Sequence, residues 1–146
     1  MKRLFLVIII LMTLFSPLKT YPQEVIAHSS VSQQEIPRNT LRAIFGMRLH
    51  VWSDGRAIKV FVLRDEDPVH IQFSKTILHM FPYQLRRAWD RQVYSGTGQA
   101  PNEVASIEEM REKVAHTPGA IGYLPGTEPP ENKNETKIPL KVLHVR

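Results

Sequence analysis

The segment Arg64-Asp65-Glu66-Asp67-Pro68-Val69-His70 concentrates more chemistry than any other stretch of this 146-residue chain. Arg64 carries a planar fork that can grip a carboxylate or phosphate through two parallel hydrogen bonds. It can equally pair with Asp65 or Glu66, the ordinary fate of an arginine set among acids. A second candidate is Ser95-Gly96-Thr97-Gly98. Its backbone N–H groups could form a nest for an anion, but it lacks the Gly-Lys-Ser/Thr ending of a nucleotide loop and follows a helix pattern instead of a strand. A helix-exit turn is the plainer reading. The residues to carry forward as ligand contacts are Arg64, Asp65, His70, Ser95, Gly96 and Thr97.

Other chemistry is poorly supplied. The histidines at His28, His50, His70, His79, His116 and His144 show no H-x-x-x-H spacing, and there is no cysteine to share a metal with them. No Gly-x-Ser-x-Gly elbow marks a nucleophile. The acids gather at helix starts, where capping accounts for them. The expectation is therefore no enzyme, no metal and no cofactor. Arg86, Arg87 and Arg91 share one helix and read as a solvated face. Tyr83, Trp89 and Tyr94 read as packing residues. Asn134-Glu135-Thr136 has the form of a glycosylation sequon but reads as a polar loop.

Charge points away from nucleic acid. The chain has a net charge of +5, from 19 basic and 14 acidic residues. Lys2, Arg3 and Lys19 all fall within residues 1–20; setting them aside leaves 16 bases against 14 acids, a net +2. Lys2 and Arg3 precede an apolar run from Leu4 to Phe15 broken only by Thr13, with Ser16 and Pro17 after it. This is the layout of a secretory signal. Twelve residues rise roughly 18 Å as a helix, short of the ~30 Å bilayer core. Residues 1–20 are read as a signal peptide and 21–146 as one domain, meeting the membrane only through that signal. Without cysteine, the exported domain has no disulfides and depends on its core.

The elements that must position the candidate residues follow from periodicity. Glu24 to Ser30 starts as a strand around Val25, Ile26 and Ala27, and Ser29 to Glu35 is a polar loop. Pro37 opens a helix whose Leu41, Ile44 and Phe45 share a face, ended by Gly46. Trp52 to Arg56 is a turn built on Asp54-Gly55. Ile58 to Leu63 is a nearly all-apolar, central strand. Val69, Phe73, Ile77 and Met80 make one helical stripe; Pro82 opens the next helix, with Leu85, Ala88, Trp89 and Val93 inward. Ser106 and Glu109 form a capping box for a helix to His116, buried through Ile107, Met110 and Val114. Thr117-Pro118-Gly119 cannot continue that helix, and Ala120 to Leu124 becomes a buried strand in which Gly122 permits close approach. Gly126 to Glu135 is a Pro/Glu/Asn loop, and Ile138 to Val145 closes the sheet. The order β-α-β-α-α-α-β-β predicts a three-layer α/β/α domain with a mixed sheet.

Several of these segments together resemble a known family. Leu41-Arg42-Ala43-Ile44-Phe45-Gly46 with Trp52 downstream is similar to the I-F-x-G-K-x-x-x-W segment of phosphate-type solute-binding proteins of bacterial ABC transporters. Tyr94 to Ala105 resembles their G-x-G-x-x-x-V-A stretch, and Thr117 to Tyr123 their T-P-G-A-I-G-Y. The match runs in order from about Glu24 to Leu124.

The resemblance implies one lobe of a two-lobed type II periplasmic binding fold. It also implies periplasmic location, phosphate or another small anion as ligand, and an ABC-transporter permease or a second copy as partner. The family's anion loop reads R-x-D-G-S-G-T, where hydroxyls and N–H groups meet the anion at a helix start. Here Arg64 is kept, an acid stands at Glu66, and Pro68, Val69 and His70 replace the Ser-Gly-Thr triplet. Three carboxylates crowd the helix start, each favoured there by ~0.3–1 kcal/mol from the helix dipole. That departure sustains a rival expectation, an envelope accessory module that binds a protein and no small ligand.

Overall fold

A computed structural model describes residues 22–126 and 140–146; the signal reading and most of the Pro/Glu/Asn loop lie outside them. The strands are β1 (Glu24–His28), β2 (Glu35–Ile36), β3 (Lys59–Val62), β4 (Asn102–Glu103), β5 (Ala120–Leu124) and β6 (Leu140–Val145). Helices α1 (Arg38–Phe45), α2 (Pro68–Thr76), α3 (Pro82–Tyr94) and α4 (Ile107–His116) join them. The sheet runs β2-β6-β1-β5-β3-β4. β1 lies antiparallel to both its neighbours, Ile26 facing Gly122 on one side and Val142 on the other. The remaining ladders, β2 with β6, β5 with β3 and β3 with β4, are parallel. Among the described residues no helix is long and apolar enough to cross a membrane.

The three-layer α/β/α expectation holds, and one strand shows why. All five residues of β5 are buried, as a strand covered on both faces must be. Successive side chains of a strand point to opposite faces. Gly122 faces α4, where a Cβ would lie 2.5 Å from Met110 Sδ and 3.0 Å from Val114 Cγ2. Tyr123 faces the other way into an aromatic cluster, stacked on Phe73 at 3.9 Å and tilted against Phe45 at 5.9 Å. Trp89 of α3 completes that side by donating from Nε1 to the Phe45 carbonyl at 2.7 Å.

Local chemistry explains the element ends. Ser106 Oγ accepts from the Glu109 N–H at 3.1 Å, and the Glu109 carboxylate accepts from the Ala105 N–H. That is the expected capping box with its return bond shifted one residue upstream. Gly119 (φ +78°) turns the chain into β5, and its carbonyl accepts from Trp52 Nε1 at 2.9 Å. The Asp54-Gly55 turn is thereby pinned to the start of β5.

Several expectations need correction. Glu35 is expected at the end of a polar loop and Asn102–Glu103 carries no expected element, yet they belong to β2 and β4; two residues are too few to show alternation, and only their neighbours β6 and β3 make them strands. α2 stops at Thr76, so Ile77 and Met80 lie beyond it, half-buried, and His70 and Ser74 join Phe73 inside. Val93 was placed inward but is 48% exposed, because Leu85 and Trp89 alone meet the core from α3.

Gly119→Ala is expected to destabilise the fold by at least ~2 kcal/mol. It forces a side chain into positive φ, and the new Cβ would meet the Ala57 carbonyl, a backbone atom that cannot step aside. Gly122→Ala should cost less, ~1–3 kcal/mol, because Met110 can swing away. Urea unfolding of both variants checks the order.

Candidate functional site

In open α/β sheets, ligands gather beyond the carboxyl ends of the strands. Here the chain leaves β3 through Leu63 and Arg64, turns at Asp65-Glu66-Asp67, and enters α2 at Pro68. The Asp67 N–H donates to the Arg64 carbonyl at 3.0 Å and tightens the turn. Asp67 is the N-cap of α2, its Oδ1 accepting from the Val69 N–H at 2.8 Å. Pro68 at the first helical position has no N–H to offer. Two of the donors that an anion would meet at this helix start are thus capped or missing.

Behind the turn lies a buried polar chain. The Leu63 N–H donates to the Tyr123 hydroxyl at 2.8 Å, and that hydroxyl lies 2.6 Å from His70 Nδ1. A hydroxyl has two acceptor lone pairs and one proton, so beside the Leu63 N–H it can either donate to Nδ1 or accept from it, as the imidazole tautomer dictates. His70 is wholly buried, and its Nε2 has no hydrogen-bond partner among the described residues. Burial pushes the imidazole below its ordinary pKa; Asp65 pulls the other way, while Arg86 adds to the lowering. Burial also drives the Tyr123 phenol well above its usual range. Both groups are neutral at physiological pH.

A charged clamp covers this chain. Arg86 of α3 grips Asp65 with two hydrogen bonds, Nε to Oδ2 at 2.7 Å and an Nη to Oδ1 at 2.9 Å. Its guanidinium lies over the Trp89 ring at 5.0 Å, with Glu103 of β4 at 3.7 Å. A forked pair of this kind ties α3 to the loop leaving β3. It also corrects the expected partner of Arg64. Asp65 faces Arg86, and Arg64 is exposed with no carboxylate in ion-pair range among the described residues.

The six candidate residues therefore separate. Arg64, Asp65 and His70 sit together beyond the carboxyl end of β3, although His70 points into the core. Ser95, Gly96 and Thr97 leave the C-terminal end of α3. There the N–H groups of Ser95, Gly96, Thr97 and Gly98 all donate to α3 carbonyls between Gln92 and Val93 or back to Arg91. The Ser95 and Thr97 hydroxyls bond to each other at 2.8 Å. A helix C-terminus carries partial negative charge, so this end repels an anion. The segment is a helix exit, and the following Gly98–Asn102 stretch lies against Ala57–Val60 at the opposite end of β3. No group of three or more metal-ligating side chains converges among the described residues.

Tyr123 and Arg86 were missed as site residues. A tyrosine in an all-buried strand must find a partner for its hydroxyl, which was the available signal. Arg86 was grouped with Arg87, yet consecutive helical residues point ~100° apart.

No family model matches the sequence, and no curated protein matches it significantly. Solved structures do match in fold. An ABC-type phosphate transport receptor from Vibrio cholerae superposes with a TM-score of 0.56 at 11% identity, over 84% of this chain and 45% of that one. PstS from Borrelia burgdorferi gives 0.56 at 18% identity, over 84% and 46%. The chain spans under half the length of the receptors it matches. At these identities the likeness is one of architecture: the described residues form the α/β fold of part of such a receptor.

Tyr123→Phe removes the acceptor of a buried N–H and is expected to destabilise by ~1–3 kcal/mol in urea unfolding. A second expectation concerns pH. The folded His70 pKa is depressed, so the unfolded chain binds more protons as pH falls below the unfolded value of ~6.5. Stability should be full above that value and decline as pH falls from ~6.5 towards the folded pKa. Melting temperatures across this window should show the decline in the native chain and a flatter response in His70→Gln.

Proposed function

We propose that this chain is an exported, non-enzymatic lobe of solute-binding type that works against a second body across the crevice at the carboxyl end of β3. The second body is another copy of the chain or a permease of an ABC transporter. One observation carries this reading: the helix start that would hold an anion is closed by the chain's own Asp67 cap and Pro68, with Asp65 neutralised by Arg86. A binding cleft buries most of its ligand, whereas a lone lobe supplies one wall. The fold shared with phosphate receptors, over less than half their length, supports a lobe that needs completing. The signal-like residues 1–20 support export, to the periplasm in a bacterium with two membranes.

A second reading keeps small-anion carriage in the manner of those receptors. Its support is Arg64, exposed and without a carboxylate partner in the described residues. In that reading Arg64 grips phosphate or another small anion once the second body adds donors, with Asp65 and His70 at the edge of the contact.

Calorimetry and thermal melting with phosphate, sulfate and small carboxylates separate the two. The expected result is no stabilisation that depends on Arg64. A ligand held at this site at one hundred times its Kd would add ~2.7 kcal/mol, and Arg64→Gln would abolish it. Tight phosphate binding to a monomer, lost in Arg64→Gln, overturns the first reading in favour of the second.

A further inference from the structure

Arg87 and Arg91 are exposed, as expected, but on a different face of α3 from the half-buried Arg86. On α3 the residues Gln84, Arg87, Ala88 and Arg91 recur at helical spacing and form one stripe, turned away from the Arg86–Asp65 clamp. Facing this stripe is the C-terminal end of α1. Arg42 is fixed there by its Nε donating to the Leu78 carbonyl at 2.6 Å and an Nη to Asn39 at 3.3 Å. Beyond it, Met47 takes a positive φ of 56°, and the Arg48 N–H returns to the Ala43 carbonyl at 2.8 Å. The corner brings the Arg48 guanidinium back over Gly46, 3.6 Å from where a Cβ would stand. Arg42, Arg48, Arg87 and Arg91, with Gly46 and Met80, line a recess of about 420 Å³.

Four arginines thus line one concavity that no acidic side chain lines. Among the described residues the ion pairs are those of Arg86 with Asp65 and Glu103, so none of the four is neutralised there. Even Asp90, on the same helix, is out of ion-pair range of them. Like charges held together repel, and a dianion seated between them removes that repulsion. Planar forks approaching from two elements match the tetrahedral oxygens of phosphate, and the volume suits a small molecule.

We infer that this recess is a binding site for a phosphate-bearing anion of at least two negative charges, held between α1 and α3. The site is separate from the loop after β3 and does not depend on the role proposed for that loop. Its ligand is either a free phosphorylated anion or the phosphate headgroup of a lipid.

The test is calorimetry of the full-length chain with two soluble probes, pyrophosphate for the free anion and glycerol 3-phosphate for the headgroup. At least one should bind one to one, more weakly as salt rises. The double variant Arg87→Gln/Arg91→Gln should lose about tenfold or more in affinity, as expected for charge-assisted bonds. It should melt no lower than the native chain without ligand, since repulsion has been relieved. Arg48→Gln, an exposed change, should weaken binding in the same direction, while Lys113→Gln, exposed on α4 and outside the recess, leaves it unchanged. Pyrophosphate binding without sedimentation on vesicles containing phosphatidic acid identifies a free anion, whereas glycerol 3-phosphate binding together with such sedimentation, lost in Arg87→Gln/Arg91→Gln, identifies a headgroup. Failure of both probes to bind, or binding that survives loss of Arg87 and Arg91, overturns the inference.

Discussion

A hydroxyl in a dry core must be satisfied by the protein, because no water can do it, and the arrangement of this lobe follows from how one such hydroxyl is met. Tyr123 is fully buried. Its ring is held on both sides of the problem: stacked on Phe73 of α2 and tilted against Phe45 of α1. With the ring fixed, the oxygen has one place to be, and there it takes the Leu63 N–H and meets His70. One side chain of β5 therefore sets the exit of the chain from β3 and the inward face of α2. The loop that carries Arg64 and Asp65 is placed by this contact from beneath and by Arg86 from above.

How much of this was legible in the sequence depends on the range over which each residue acts. The capping box at Ser106, the stop at Thr117-Pro118-Gly119 and the apolar runs of β3 and β5 are local statements, and each appears close to where it was read. β2 and β4 are strands only because β6 and β3 lie beside them, information that two residues cannot hold. The same limit governs the site. Arg64 seemed a natural partner for Asp65, yet side chains adjacent on an extended backbone diverge, and Asp65 finds Arg86 across the fold. His70 was carried forward as a ligand contact together with the loop it follows. One residue decides otherwise: Pro68 fixes where α2 begins, and two positions later the helix has turned its side chain inward.

The arginines of α3 show the same principle at finer scale. Arg86 and Arg87 are neighbours in sequence and opposites in environment. Arg86 is shared between two acids and an aromatic face, whereas Arg87 looks across at Arg42 and Arg48. A helix separates adjacent residues onto different faces, so one short basic run serves a structural clamp on one side and builds uncompensated positive charge on the other. Counting charge along the chain merges these two populations, and geometry divides them.

The reversed direction of β1 has a kinetic consequence. This strand lies between β5 and β6 and contributes backbone bonds to both, yet all of its partners come from the far end of the described chain. The middle of the sheet cannot assemble until those late segments are available. Contacts of such long sequence separation slow folding, because loop-closure entropy must be overcome before any ladder forms. A polypeptide wired in this way stays open while it is being made, holding only its local helices.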